Sequence, residues 1–415
     1  MSQAVLPHAP AVDAPALVRS HALVASGVRA LLLILLAKAL VLACVWLGYN
    51  ALDLSGVYVQ NDHYHQPSEY GLLTRFTTWD SSYYLLLARD GYPDGAHQSN
   101  AFAPLLPLSI RAVGQLTGDL VIAGLLFSNA ASAAALWLLW SLVRRRWGES
   151  TAWRTLVLLL AFPTAFFLSL VYSESLFLLL AVLTFWGLDR ASSETPTPRG
   201  WGLAIAAAAA FLLPLTRAIG TVIVLPLLIW VAVTWWQQAY RCQSPSRAWW
   251  LAACGLLLAP LAGVLADAAY MQLAAGDWLA HVHSEALFPA HWQLSNAFKP
   301  WVFATELAGR GLSFHGYLNS AVDRLFFVAF LASVPLVYRR VDKPLFVFYL
   351  LLGLLPPLMG SFMAYTRLLL PAFPLFIAWA SSFETRPRLL TALVTSMVLI
   401  QALALLAHTS SRWVA

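Results

Sequence analysis

The sequence predicts an all-α polytopic membrane protein of about eleven spans, with two large outer loops bearing short juxtamembrane helices. Three observations predict it. Hydrophobic residues fill 60% of 415 positions and charged residues only 11%, against about 25% charged in a soluble domain. Eighteen Trp and fourteen Tyr suit a chain that meets two membrane–water interfaces. Finally, the apolar residues come in runs near the roughly 20 residues a helix needs to cross the hydrocarbon core.

The N-terminal residues 1–26 are rich in Ala, Pro and Ser and hold His8, Asp13, Arg19 and His21. They read as a flexible cytoplasmic tail and not as a cleaved signal. Residues 27–415 then read as one transmembrane domain. Candidate spans lie at about 27–49, 119–143, 151–171, 174–190, 201–217, 218–238, 248–270, 319–338, 344–360, 367–383 and 389–408. Helices are the expected form, because lipid offers backbone groups no other open-ended partner.

Positive charge orients the spans. Arg144–Arg146 follow the second, Arg190 and Arg199 flank the next loop but one, and Arg241 and Arg247 follow the sixth. Arg339, Arg340 and Lys343 follow the eighth, and Arg386 and Arg388 the tenth. With the N-terminus inside, all these clusters fall on the cytoplasmic side, provided Phe102–Leu116 does not cross. That stretch begins with Pro104 and Pro107 and contains Arg111, and reads as a helix lying on the outer surface. The outer loops then run from about 50 to 118 and from about 271 to 318. They hold seven of the ten histidines. The net charge of +6 is topology information and no nucleic-acid footprint. Cys44, Cys242 and Cys254 have no metal-binding spacing.

Residues without a solubility role collect on the outer face. In the first loop, Asp80 follows Trp79 and precedes Tyr83 and Tyr84. Residues 81–90 suit a short amphipathic helix stopped by Gly91, which Asp80 either caps or uses as the platform for a general base. Asn100-Ala101-Phe102 with Pro104 and Pro107 reads as the start of an interfacial helix. Glu174, in Tyr172-Ser173-Glu174-Ser175, is a helix N-terminal acid, an acceptor for a substrate hydroxyl, or a partner that orients an arginine. Arg217 and Arg367 are single arginines at the outer ends of apolar helices. They either snorkel to headgroups or offer guanidinium forks to a phosphate. His63/His65 and His281/His283 have i,i+2 spacing, with Asp62, Glu69 and Glu285 nearby. Solvated histidines, or ones touching sugar or phosphate, are favoured over metal ligands; no cofactor is expected, a divalent ion being permitted but not indicated. No glycine-rich phosphate loop and no Ser/His/Asp signature is present.

Trp79-Asp80 with Gly91-Tyr92, then Asn100-Ala101-Phe102 with Pro104 and Pro107, then Tyr172-Ser173-Glu174-Ser175-Leu176-Phe177, then Thr216-Arg217 with Gly220, resemble in order the PIG-V family. This is the GPI mannosyltransferase II type within the GT-C superfamily. The resemblance is good over roughly residues 75–220, and looser at Arg367. It implies a GT-C-type helix bundle with an acidic residue in the first outer loop. It further implies transfer of mannose from a polyprenyl (dolichyl-type) phosphate to an acceptor on the non-cytoplasmic side, with inversion. Ser81-Ser82-Tyr83 departs from eukaryotic members and points to a bacterial one in the plasma membrane, with the ER membrane as the eukaryotic counterpart. Bacteria make no GPI anchors, so the expected acceptor is another glycan or glycolipid.

The roles expected are Asp80 as base and Arg217 and Arg367 on the leaving phosphate. Trp79, Tyr83 and Tyr84 would meet sugar faces or the lipid entry, and Glu174 a hydroxyl or an arginine. His281, His283, Lys299 and Trp301 would cover the acceptor. Partners are the lipid-linked donor, the acceptor and membrane lipids, with no nucleic acid. The alternatives are a flippase or transporter for a lipid-linked saccharide, which should carry polar groups through its span middles, and an inactive lipid-binding subunit.

Overall fold

The computed structural model describes residues 16–51, 71–192, 199–240, 245–290, 292–309, 313–314, 318, 320–410 and 412–414. His63 and His65, with Asp62 and Glu69, lie outside them, as do residues 1–15.

The described chain is helical, with no β-strand. Sixteen α-helices follow in order: α1 (Ala16–Ala51), α2 (Asp80–Asp90), α3 (Leu105–Thr117), α4 (Leu120–Trp147), α5 (Glu149–Ala161), α6 (Glu174–Ser192), α7 (Arg199–Leu212) and α8 (Val224–Tyr240), then α9 (Arg247–Ala275), α10 (Ala280–Glu285), α11 (Pro300–Ala308), α12 (Ala321–Arg340), α13 (Lys343–Leu358), α14 (Tyr365–Leu368), α15 (Pro374–Ser382) and α16 (Pro387–Thr409). Among the described residues, seven segments are long and apolar enough to cross a membrane: Val24–Ala51, Leu120–Trp147, Glu174–Ser192, Ala218–Tyr240, Arg247–Ala275, Ala321–Arg340 and Pro387–Thr409. This is an integral membrane protein. Two shorter apolar helices, Gly200–Leu212 and Lys343–Leu358, occupy further expected spans. Helix α1 begins at Ala16, inside the segment expected as a tail.

The other two expected spans, 151–171 and 367–383, are not continuous helices. The first stops at Ala161, because Pro163 has no N–H to donate and its ring clashes with the preceding turn. A 3₁₀ turn, Ala165–Ser169, follows. The second is cut by Pro371 and Pro374 into α14 and α15. Non-helical backbone at membrane depth is tolerated only where protein satisfies it, and here protein does. Residues 161–178 are buried throughout. Gln401 Nε2 donates to the carbonyls of Leu160 (3.0 Å) and Phe162 (2.7 Å). Asn129 Nδ2 donates to the carbonyl of Ser169 at 3.0 Å. Lys38 Nζ donates to the carbonyl of Leu168 (3.0 Å), to Ser132 Oγ (2.6 Å) and to Asn129 Oδ1 (3.1 Å). The polar residues inside α1, α4 and α16 thus hold the broken segment that delivers Tyr172–Glu174.

Helix α3 is 13 residues long, about 20 Å at 1.5 Å per residue, and is not among the seven segments long and apolar enough to cross a membrane. Arg111 reaches back from it to the last carbonyls of α2: Nε donates to Ala88 at 2.7 Å, and Nη2 to Leu87 at 3.4 Å and Arg89 at 3.3 Å. It serves the Ala88 and Arg89 carbonyls at the helix end, while Leu87 also accepts from Gly91 N. Gly91, at φ 88°, ends α2 as expected.

The basic ends of α4, α6 and α12 meet at one end of the bundle. Arg145 pairs with Asp189 at 3.1 Å and Arg146 with Asp342 at 2.8 Å. Trp147 Nε1 donates to the carbonyl of Arg340 at 2.9 Å. Helix α6 runs from Glu174 to this basic end, 19 residues or about 28 Å away.

Candidate active site

Four charged side chains form a chain at the N-terminal end of α6. Asp80 Oδ2 lies 2.8 Å from Arg367 Nη2. Arg367 Nε lies 3.1 Å from Glu174 Oε1. The same Glu174 oxygen accepts a 2.7 Å hydrogen bond from Arg217 Nη1. Two carboxylates and two guanidiniums balance, which is the condition for burying them. Glu174 is 1% exposed and Arg367 7% exposed. The rings of Phe167 and Tyr172 lie under the Arg367 guanidinium, with centroids 5.2 and 5.3 Å away.

The backbone is bent to make this chain. Trp79 (φ 58°) and Ala364 (φ 56°) are the two non-glycine residues of positive φ among the described residues. One immediately precedes Asp80, and the other stands three residues before Arg367. Such conformations cost about 1–3 kcal/mol each and persist where the surroundings impose them. Asp80 is the first residue of α2 and its side chain caps nothing; the N-cap is Trp79, without a side-chain cap bond. The capping reading of Asp80 gives way, because the carboxylate is drawn to Arg367.

Arg367 is set by a buried acid on another helix. Asp323, in the first turn of α12, accepts 2.8 Å hydrogen bonds through Oδ1 from both Thr366 N and Thr366 Oγ1. Its neighbour Arg324 donates to the carbonyls of Glu306, Leu307 and Ser320. Tyr172 Oη donates to the carbonyl of Thr78 at 3.2 Å, and Tyr84 Oη to Ser173 Oγ at 2.8 Å. These bonds tie the first loop to the broken segment on either side of Asp80.

Above the charges lies a cavity of about 1040 Å³. Trp79, Asp80, Tyr83, Tyr84, Arg217, His281, His283 and Arg367 all line it. Glu174 sits behind the wall, as the shared counter-ion of the two arginines. Lys299 and Trp301 do not line the cavity; Trp301 is 64% exposed. Tyr83 stacks on Phe102 with centroids 4.8 Å apart, and its hydroxyl donates to Gln98 at 3.0 Å. Asn100 Nδ2 holds the first loop by donating to the carbonyls of Pro93 and Gly95, both at 2.8 Å. The remaining wall is largely apolar, and includes Ile219, Val282, Trp292, Leu294, Met359 and Met363.

His281 latches the second loop onto the first. Its Nδ1 meets the carbonyl of Asn100 and its Nε2 lies 3.0 Å from Asp267 Oδ2. A backbone carbonyl and a carboxylate on the two ring nitrogens favour the doubly protonated imidazolium. Burial lowers the imidazole value, but the Asp267 hydrogen bond and charge and the Asn100 carbonyl overcome it and hold His281 above the ordinary range. His283 Nδ1 pairs with Asp277 at 2.6 Å. Among the described residues, no three His, Cys, Asp or Glu side chains are grouped to hold a metal.

Sequence reasoning missed Asp267 and Asp323, and named Glu285 only as a metal neighbour of the histidines. It also missed the C-terminal segment: Trp413 lines the cavity with its ring at right angles to Trp79, centroids 5.1 Å apart. Arg75 Nη1 anchors that segment through the carbonyl of Thr409 at 3.3 Å.

Comparisons with known proteins return similar solved structures and one family model. The structure of ArnT from Cupriavidus metallidurans bound to undecaprenyl phosphate is similar, with a TM-score of 0.49 and 14% identity, over 89% of this chain and 64% of that one. The apo oligosaccharyltransferase of Archaeoglobus fulgidus gives 0.45 and 12%, over 92% and 56%. The chain therefore spans less than two thirds of the length of either. No curated protein sequence matches it. Residues 28–219 match the family model described as Mannosyltransferase (PIG-V), a stretch that contains Trp79, Asp80, Glu174 and Arg217. The chain thus carries, over residues 28–219, the PIG-V mannosyltransferase family match to which its motifs pointed.

Proposed function

We propose that the protein transfers mannose from a polyprenyl-phosphate carrier to a glycan or glycolipid acceptor on the non-cytoplasmic side, with inversion. The observation that carries this reading is the Asp80–Arg367–Glu174–Arg217 chain beside a cavity with an extended apolar wall. A carrier of this class has the matching parts: a lipid tail, a phosphodiester and a sugar.

Each residue then has a task. Arg217 and Arg367 bind the phosphate. As the C1–O bond to phosphate breaks, the diester becomes a monoester and gains negative charge, which preorganised guanidiniums stabilise. Glu174 holds both guanidiniums at the wall, so little reorganisation remains for the reaction. The acceptor hydroxyl attacks C1 from the face opposite the phosphate and passes its proton to Asp80. Asp80 has one oxygen on Arg367, while no described residue bonds the other. The apolar wall receives the first isoprene units.

The assignment of side rests on charge. The basic ends of α4, α6 and α12 lie together, about 28 Å along α6 from Glu174. The positive-inside rule then favours placing the site outside. A transporter needs polar groups free within its spans; here Lys38, Asn129 and Gln401 are occupied by backbone carbonyls. The test is transfer of radiolabelled mannose from polyprenyl-phosphate-mannose in membranes containing the wild-type protein or Asp80→Asn. Carrier-dependent labelling that Asp80→Asn abolishes supports the reading; no carrier-dependent labelling by the wild type overturns it.

A further inference from the structure

We infer that Glu285, at the end of α10, is a sugar-binding residue whose carboxylate accepts a hydrogen bond from a substrate hydroxyl. The inference rests on the transferase reading above and names a sugar contact within its site.

The other charges around the cavity are already partnered. Asp80, Arg367, Glu174 and Arg217 are paired with one another. Both nitrogens of His281 are occupied, and His283 is held by Asp277. Glu285 follows His281 by four residues, so the two share a helix face, and both line the cavity. Yet no hydrogen bond and no ion pair reaches the Glu285 carboxylate from any described residue. Burial, then the nearby negative charge of Asp80, push its carboxyl up to about 7, with His281 and Arg217 pulling the other way.

A half-buried carboxylate without a donor is costly. A cavity that keeps one is suited to a ligand that brings donors. To the ionised carboxylate the carrier phosphate offers only acceptors and like charge, and its partners in the transferase reading are Arg217 and Arg367. Sugar hydroxyls do qualify, and two sugars enter such a site: the mannose of the donor and the acceptor glycan. The latch of His281 onto Asp267 and Asn100 fixes α10 and so fixes the reach of Glu285, as binding a hydroxyl in one orientation requires.

The experiment compares wild type with Glu285→Gln in membranes holding the endogenous acceptor, supplied with radiolabelled polyprenyl-phosphate-mannose. Three quantities are read: transfer to acceptor, release of free mannose to water, and binding of sugar-free polyprenyl phosphate. The expected result is at least a tenfold loss of transfer, with sugar-free carrier bound as well as before. Mannose release that persists assigns the hydroxyl to the acceptor; release that falls in parallel, with a raised KM for donor, assigns it to the donor mannose. Undiminished transfer overturns the inference, as does a loss confined to binding of the sugar-free carrier. Absence of carrier-dependent transfer by the wild type overturns the transferase reading itself, and the inference with it.

Discussion

Replacing Glu174 by Gln separates the charge of this residue from its shape. Oε1 serves both arginines, and Oε2 has no hydrogen-bond partner. The amide therefore keeps the oxygen, places its NH₂ where no bond is lost, and removes only the negative charge. The site changes from two acids and two bases to one acid and two bases. Stripping the counter-ion from a buried pair costs about 3–5 kcal/mol, and the retained hydrogen bond puts the expected loss at the lower end, about 3 kcal/mol. Thermal unfolding in detergent should show a midpoint lowered by several degrees. Affinity for an anionic carrier should move the other way. Removing one negative charge at roughly 8 Å, in an effective dielectric of about 20, favours the phosphate by about 2 kcal/mol. Looser arginines offset part of this, leaving about tenfold tighter binding of polyprenyl phosphate. Unchanged stability, or weaker carrier binding at unchanged stability, would refute the counter-ion argument and make Glu174 a substrate ligand.

Three further outcomes are expected. Asp323→Ala removes two bonds to Thr366, each of about 1.5–3 kcal/mol for a charged acceptor, and should raise the carrier KM about tenfold; Asp323→Asn should do less, and adding Thr366→Val to Asp323→Ala should add little. His281 is held above the ordinary imidazole range, so the stability it contributes is complete below that range and fades as pH rises through the raised value. The thermal midpoint gap between wild type and His281→Asn should accordingly be wider at pH 6 than at pH 9. Gln401→Leu strands two buried carbonyls, a cost of about 2–4 kcal/mol, seen as a lower thermal midpoint with carrier affinity little changed.

Much of the site was readable because single charges at the ends of apolar runs have no other employment. Asp80, Arg217 and Arg367 stood out in this way, and all three line one cavity. Glu174 stood out equally, but the sequence left open whether it meets a substrate hydroxyl or an arginine; the geometry puts it behind two arginines. Asp323 was hidden because Ser320-Ala321-Val322-Asp323 is also how an ordinary helix begins, with Ser320 Oγ accepting from Asp323 N at 3.1 Å. Its second task depends on residue 366, distant in sequence. Asp267 was hidden inside an apolar helix whose hydropathy absorbs one acid.

The broken spans show where hydropathy misleads. Residues 151–171 and 367–383 are as apolar as their neighbours because they are buried in protein, and burial in protein and in lipid select the same side chains. Pro163, Pro371 and Pro374 were the visible signals. The partners Lys38, Asn129 and Gln401, each a polar residue in a spanning helix, were the confirming ones. Arg111 gave a signal of another kind at α3: a charge within an apolar run marked a residue that bonds the end of α2.

Asp80 is proposed to take the acceptor's proton beside arginines that hold the carrier phosphate. The most direct measurement of this step is mannose transfer by purified, reconstituted Asp80→Asn alongside equilibrium binding of polyprenyl phosphate to the same sample. Transfer should fall at least a hundredfold, with the carrier still bound. Transfer near the wild-type rate would contradict it.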